Sequence, residues 1–154
     1  MPRTLSGFTQ IELITVMVIL GILAALTLPS FTNRTDFDLR QSHDQVRAAL
    51  RIAQKTAIAQ RKRVLITTTS AGLSACYTNT GACTAAHNGC SGGTVPGPDG
   101  PSLSLTLPAG ISLSPTTPFT FDGLGCASGA QTLTLSGGSA SQSLSIEAET
   151  GYVH

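Results

Sequence analysis

Between Phe8 and Leu28 the chain holds 21 residues and a single charge, Glu12. As a helix at about 1.5 Å per residue the stretch is roughly 31 Å long, the thickness of a bilayer's hydrocarbon core. It follows a short polar leader, residues 1–7. A cleaved secretory signal would carry an apolar centre of about 7–15 residues with a small-residue cleavage site after it. Here the run is longer, Pro29-Ser30-Phe31 makes a poor site of that kind, and the small residue, Gly7, comes before the run. An ordinary signal anchor gives no reason for an acid five positions into the span. A carboxylate at membrane depth costs about 2.5–3.5 kcal/mol on insertion scales, and such residues are usually functional.

Gly7-Phe8-Thr9-Gln10-Ile11-Glu12 followed by an apolar run resembles the type III signal of type IV pilins and type II secretion pseudopilins. The resemblance implies that a membrane-embedded prepilin peptidase cuts between Gly7 and Phe8 and that the new Phe8 amine is N-methylated. It implies too that Glu12 faces a neighbouring subunit's N-terminal amine in a filament. The physics agrees, because a lone carboxylate in hydrocarbon needs a cationic partner. The plainer reading of Glu12 is a residue near the interface reaching out to water.

About 120 residues follow the span, enough for one small domain with its own core. The net charge of +1 selects no partner, but its distribution is uneven. All nine Lys and Arg precede Val64, and the acids after it are Asp99, Asp122, Glu147 and Glu149. Cys76, Cys83, Cys90 and Cys126 all follow the span. An even count in a small exported domain suggests two disulfides with three possible connectivities. We favour Cys76–Cys83, closing a short loop, and Cys90–Cys126, tying a Gly-rich loop to the late strands. A metal site with His87 is disfavoured, since the cysteine spacing is wider than zinc sites use. Topology holds a conflict. Arg3 precedes the span while Arg34, Arg40 and Arg47 follow it, and counting cations alone would put the large domain in the cytoplasm. The Gly7/Glu12 motif and the cysteines point to the other side, and we follow them: inner membrane, single pass, domain in the periplasm, then an extracellular pilus or periplasmic pseudopilus.

Pro29 falls where the span ends and predicts a kink rather than a stop, because helical patterning resumes beyond it. By resemblance to pilins, the segment from Gly21 to Pro29 can unwind in the filament. Residues 36–63 read as an amphipathic helix, with Leu39, His43, Val46, Leu50, Ala53 and Ala57 on one stripe. Asp36 or Asp38 suits its start and Arg61-Lys62-Arg63 its end. With the span this predicts one long, bent helix of roughly 84 Å. A strand over 64–69, a turn at 70–72 and a return over 73–78 predict a hairpin. Residues 79–101 read as a long loop rich in turn formers. Period-two groups follow: Leu103, Leu105 and Leu107; Ile111 and Leu113; Phe119 and Phe121; Leu133 and Leu135; Leu144, Ile146 and Ala148. Their apolar face is expected on the helix stripe, a two-layer solution.

The helix from Asp44 to Gln60, Phe119-Thr-Phe-Asp-Gly-Leu-Gly125 before a Leu-rich strand, and the closing Gly151-Tyr-Val resemble the GspH/FimT-type minor pilin and pseudopilin domain. The helix is also similar to minor pilins of mannose-sensitive haemagglutinin (MSHA) type pili. The implied fold is α+β and pilin-like, a long N-terminal helix on a small antiparallel sheet. It is partitioned as leader 1–7, transmembrane helix 8–29, amphipathic helix 30–63 and β-rich domain 64–154. One departure matters. DNA-binding FimT-type proteins carry Gly-Arg-x-Arg near the C-terminus, where this chain reads Gly151-Tyr152-Val153-His154. Phosphate binding needs cations, so a nucleic-acid partner is disfavoured.

No catalytic constellation is legible. His43, His87 and His154 lack motif context, and there is no nucleophile elbow, phosphate loop or zinc-protease motif. His43 reads as packed or partly exposed. Arg40, Arg47, Arg51 and Lys55 form a basic ridge. Its plain reading is a solvated face with weak Arg40–Asp44 and Asp44–Arg47 pairs; its sharper one is contact with acidic patches of neighbouring subunits or with nucleic acid. The expectation is a non-enzymatic minor pilin without cofactor or metal, acting in filament assembly or adhesion. Its partners are the peptidase, other subunits and the inner membrane. The alternatives are a type II secretion pseudopilin and a DNA receptor for competence.

Overall fold

The apolar stripe of the sequence is one face of a helix, α2 (Arg34–Gln60), in the computed structural model, which describes residues 9–27, 34–78, 92–98 and 100–154. Leu39, Val46, Leu50, Ala53 and Ala57 are all buried, as their three- and four-residue spacing requires. His43 is partly covered, its side chain 19% exposed. Asp36 lies in the first turn, where a negative charge complements the helix dipole. The far end departs from expectation. Arg61-Lys62-Arg63 is not the last helical turn. Arg61 takes a left-handed conformation (φ 49°), and two closing bonds, Arg61 N–Ile58 O at 3.2 Å and Lys62 N–Ala57 O at 3.1 Å, form a Schellman cap. Arg63 already belongs to the first strand.

β1 (Arg63–Thr69) and β2 (Gly72–Thr78) make the expected hairpin, with Leu65 opposite Cys76. Where one sheet was expected, the described residues form two. The first is ordered β3-β2-β1-β5, with β3 (Ser104–Thr106) and β5 (Phe119–Phe121) at its edges. The second is ordered β4-β6-β7, with β4 (Ile111–Ser114), β6 (Gln131–Gly137) and β7 (Ala140–Ile146). Every pairing is antiparallel. Leu113 N bonds Ser70 O at 3.1 Å, joining the second sheet to the β1–β2 turn. Period two reports which face of a strand is buried but not its partner, which is why the division was not legible. Ala148 also falls outside β7, and its carbonyl accepts from Ala127 N at 2.8 Å.

One core joins α2 to both sheets. Leu50, Ile66, Phe121, Leu133, Leu135 and Leu144 are among its large members, and Phe119 meets Phe121 edge to face at 5.5 Å. Burying each such side chain contributes about 1.5–3 kcal/mol. The 79–101 loop is described only in part, and that part is structural. Val95 is fully buried; Gly92 and Gly93 bond Tyr77, and Val95 N bonds Ala75 O, along the outer edge of β2. Cys76 and Cys126 are both disulfide-bonded; Cys83 and Cys90 lie outside the described residues.

The chain divides into two compact units, Met1–Arg34 and Thr35–His154. The whole buried core, from Leu39 to Val153, belongs to the second.

Candidate assembly surfaces

In the first unit the described helix is α1 (Gln10–Thr27). Thr9 O accepts from Glu12 N and Leu13 N at 3.1 and 3.2 Å, opening the ladder. Thr15 Oγ1 donates back to Glu12 O at 2.8 Å. Between Ile11 and Leu23 the large apolar side chains point all round the axis, each 46–68% exposed. A helix that is apolar on every side needs lipid or other helices around it. Glu12 is the one carboxylate on this surface. Among the described residues no helix is long and apolar enough to cross a membrane. α1 is 18 residues long, roughly 27 Å; Phe8, Leu28 and Pro29, which complete the 8–29 stretch, lie outside the described residues. So does Gly7. Gly21 sits within α1, and a side chain added there would meet open space.

In the second unit the C-terminal tail and α2 build a polar junction. The tail turns back on β7: Ser145 and His154 exchange two backbone bonds of 2.8 and 3.0 Å, and Glu147 N bonds Tyr152 O at 3.0 Å. Gly151 makes the turn with a left-handed φ of 61°, its backbone pressed on the Gly125 carbonyl where no Cβ fits. Gln54 Nε2 on α2 donates to Gly125 O at 3.1 Å and to Thr150 O at 2.7 Å. Arg51 Nη2 donates to Val153 O at 3.1 Å, and its guanidinium stands 5.9 Å from the Tyr152 ring centroid. Tyr152 stacks on His154, whose Nε2 is 3.4 Å from Glu147. A cation therefore does reach the tail that reads as arginine-free, but it comes from α2 and is held by a carbonyl and a ring.

The basic ridge is thereby divided. Arg40 and Lys55 are exposed, and Arg47 and Arg51 are half-buried. Arg47 Nε is buried without a hydrogen-bond partner. Asp44 lies 3.4 Å from His43 Nδ1, and the expected pairs with Arg40 and Arg47 are not formed. Reading the sequence put Arg51 on the ridge without its contacts to the tail, and singled out neither Gln54 nor Leu124. The first two act on groups about 70 to 100 positions away, beyond any local pattern. Leu124 did carry a signal, an Asp-Gly-x-Gly turn with an apolar residue at its tip. Asp122 Oδ1 accepts from Leu124 N and Cys126 N at 2.9 and 3.0 Å, and Leu124 is 90% exposed.

Three comparisons bear on this architecture. Residues 43–150 match the family described as type II transport protein GspH. The chain is 43% identical over 58 residues to the type IV narrow pilus major component PilA5 of Thermus thermophilus. That match covers 38% of this chain, which spans about half the length of this curated relative. Crystal structures of the type IV minor pilin FimU of Pseudomonas aeruginosa share the fold. One superposes with a TM-score of 0.58 at 17% identity over 80% of this chain and 90% of FimU. A second crystal form gives 0.55 at 16% identity over 75% and 90%.

Proposed function

The chain belongs to the type II transport protein GspH family, and from that premise we propose that it is a minor subunit of a type IV pilus-like filament. The observation that carries the reading is α1, apolar on every side with one acid near its start. Phe8–Leu28 holds the subunit in the inner membrane after a prepilin peptidase cuts between Gly7 and Phe8 and the Phe8 amine is methylated. Glu12 then neutralises a neighbouring subunit's amine as α1 enters the filament, with the Gly21–Pro29 segment free to unwind. A carboxylate without counter-charge in hydrocarbon is costly enough to drive that pairing. The Thr35–His154 unit lies on the filament surface or tip, in the periplasm and then outside the cell. Its disulfides are Cys76–Cys83 and Cys90–Cys126. Its role is structural or adhesive rather than catalytic, and its partners are other pilin subunits.

A type II secretion pseudopilin is the second reading, favoured by the description of the family. The similarity to a pilus component and the fold shared with FimU favour the first. Recovery of the chain in sheared surface pili, against retention with a secretion apparatus, separates them. DNA reception is disfavoured because Arg51, the cation at the tail, is engaged by Val153 O and Tyr152.

Mass spectrometry of the mature protein tests the proposal. The expected chain begins at Phe8 and is one methyl group heavier than its sequence. An N-terminus at Met1, or after Ser30, would falsify it. In a second arm, Glu12→Ala reduces filament incorporation to a small fraction of wild type without altering the Thr35–His154 unit. Incorporation at wild-type yield would remove Glu12 from the mechanism.

A further inference from the structure

The Asp122–Cys126 turn cannot fold its apolar tip away. Besides the two bonds that the Asp122 carboxylate accepts, Gly125 N bonds Asp122 O at 3.0 Å and Asp122 N bonds Cys126 O at 2.9 Å. Gly123 rests on the Arg61 backbone, where an added Cβ would come within 3.0 Å, and Gly125 packs on Ile58. The result is a rigid knob: Leu124 at 90% exposure beside Ile58 at 46%, with exposed Arg61 and Lys55 at its margin. Lys55 stands one helical turn before Ile58 and so shares its face. A preorganised apolar anchor ringed by polar groups is the form that binding hot spots take.

Beside the knob lies its complement. An open hollow of about 550 Å³ is lined by Ala130, Ile146, Glu147, Ala148, Glu149 and His154, among others. Glu147 and Glu149 are exposed there, and His154, 3.4 Å from Glu147, is the third titratable group of the wall. Knob and hollow are adjacent on one molecule, because Gln54 Nε2 ties Gly125 O of the knob to Thr150 O of the hollow's rim.

We propose that knob and hollow are the two halves of a contact between two copies of this chain, each copy's Leu124 seated in the other's Glu147/Glu149 hollow. Charge selects a second copy. The knob carries Lys55 and Arg61, while the hollow carries two carboxylates in a stretch that has no Lys or Arg. Adjacency on one surface is what a two-fold contact requires, since both copies then engage at once and the assembly closes. The contact does not depend on incorporation into a filament.

The test uses the full chain in detergent micelles, two differently tagged copies co-expressed, with the photoreactive residue of Leu124→p-benzoylphenylalanine as probe. Light is expected to give dimers carrying both tags, with the cross-link in residues 145–154. Lys55→Glu with Arg61→Glu in both copies lowers their yield at least about tenfold through like-charge contact. Pairing that variant with a copy bearing Glu147→Lys and Glu149→Lys restores it. All four positions are exposed, so amide exchange of β6 stays at its wild-type rate. Cross-links confined to one chain, cross-links to a different protein, or mixed-tag dimers indifferent to charge reversal would each overturn the proposal.

Discussion

α1 and α2 are helices of the same chain with opposite requirements. α2 buries one stripe, Leu39, Val46, Leu50, Ala53 and Ala57, in the core it shares with strands encoded later in the sequence, and leaves Phe37 and Ile58 exposed. α1 spreads Ile, Leu, Val and Met around its circumference, and from Ile11 to Leu23 each of these described side chains is at least 46% exposed. The pattern of α2 is solved inside the chain, and that of α1 needs surroundings from outside it. The second unit can thus be stable by its own core while the first depends on lipid or on neighbouring helices. Assembly and folding are therefore assigned to different residues, and substitutions can separate them.

The sharpest separation is Leu50→Ala against Leu20→Ala. Leu50 is fully buried, whereas Leu20 is 59% exposed. Truncating the first leaves a cavity in the core of the second unit and costs about 2–5 kcal/mol. Truncating the second changes the Thr35–His154 unit by less than about 0.5 kcal/mol. Hydrogen exchange of β6 amides in the full chain measures both. An equal loss from the two variants would mean that the units do not carry separate stability.

A smaller effect tests whether the C-terminal tail belongs to the core of the second unit or merely covers it. Gly151→Ala forces a side chain into a left-handed turn and against the Gly125 carbonyl. We expect a loss of about 1–3 kcal/mol in urea unfolding. The Gln54 bonds to Gly125 O and Thr150 O should weaken with it, exposing the Gly151 and His154 amides first. Gly138→Ala, at a hairpin turn with similar φ but open surroundings, costs less. If the two glycines prove equivalent, backbone conformation alone matters and the tail is not packed as described.

The same contrast explains what could be read beforehand. Leu39, Val46, Leu50, Ala53 and Ala57 announce their face because a helix repeats every 3.6 residues. Leu133/Leu135 and Ile111/Leu113 announce theirs through period two. Partners are another matter. β5 pairs with β1 and β4 with β6 across long separations, so one sheet was expected where two exist. Val95 is buried within a Gly- and Pro-rich run that offers no period. Arg61 occupies the left-handed cap position that glycine usually marks, so the helix end was placed at Arg63. Gln54 and Arg51 read as surface polar residues because their acceptors are carbonyls of distant turns.

Arg51 gives the smallest effect and the finest distinction within α2 itself. Arg51→Met keeps most of the apolar stem but removes the bond to Val153 O and the cation near Tyr152. A hydrogen bond from a half-buried charge and a partly exposed cation–π contact together contribute about 0.5–1.5 kcal/mol. Arg40→Met, on the exposed part of the same helix, should stay within about 0.5 kcal/mol of wild type. The loss from Arg51→Met should be local: the His154 amide, bonded to Ser145 O, exchanges faster while amides of β6 do not. A loss shared by both strands would show that Arg51 supports the core directly. No loss at all would return it to the solvated ridge, leaving Gln54 to hold the tail against α2.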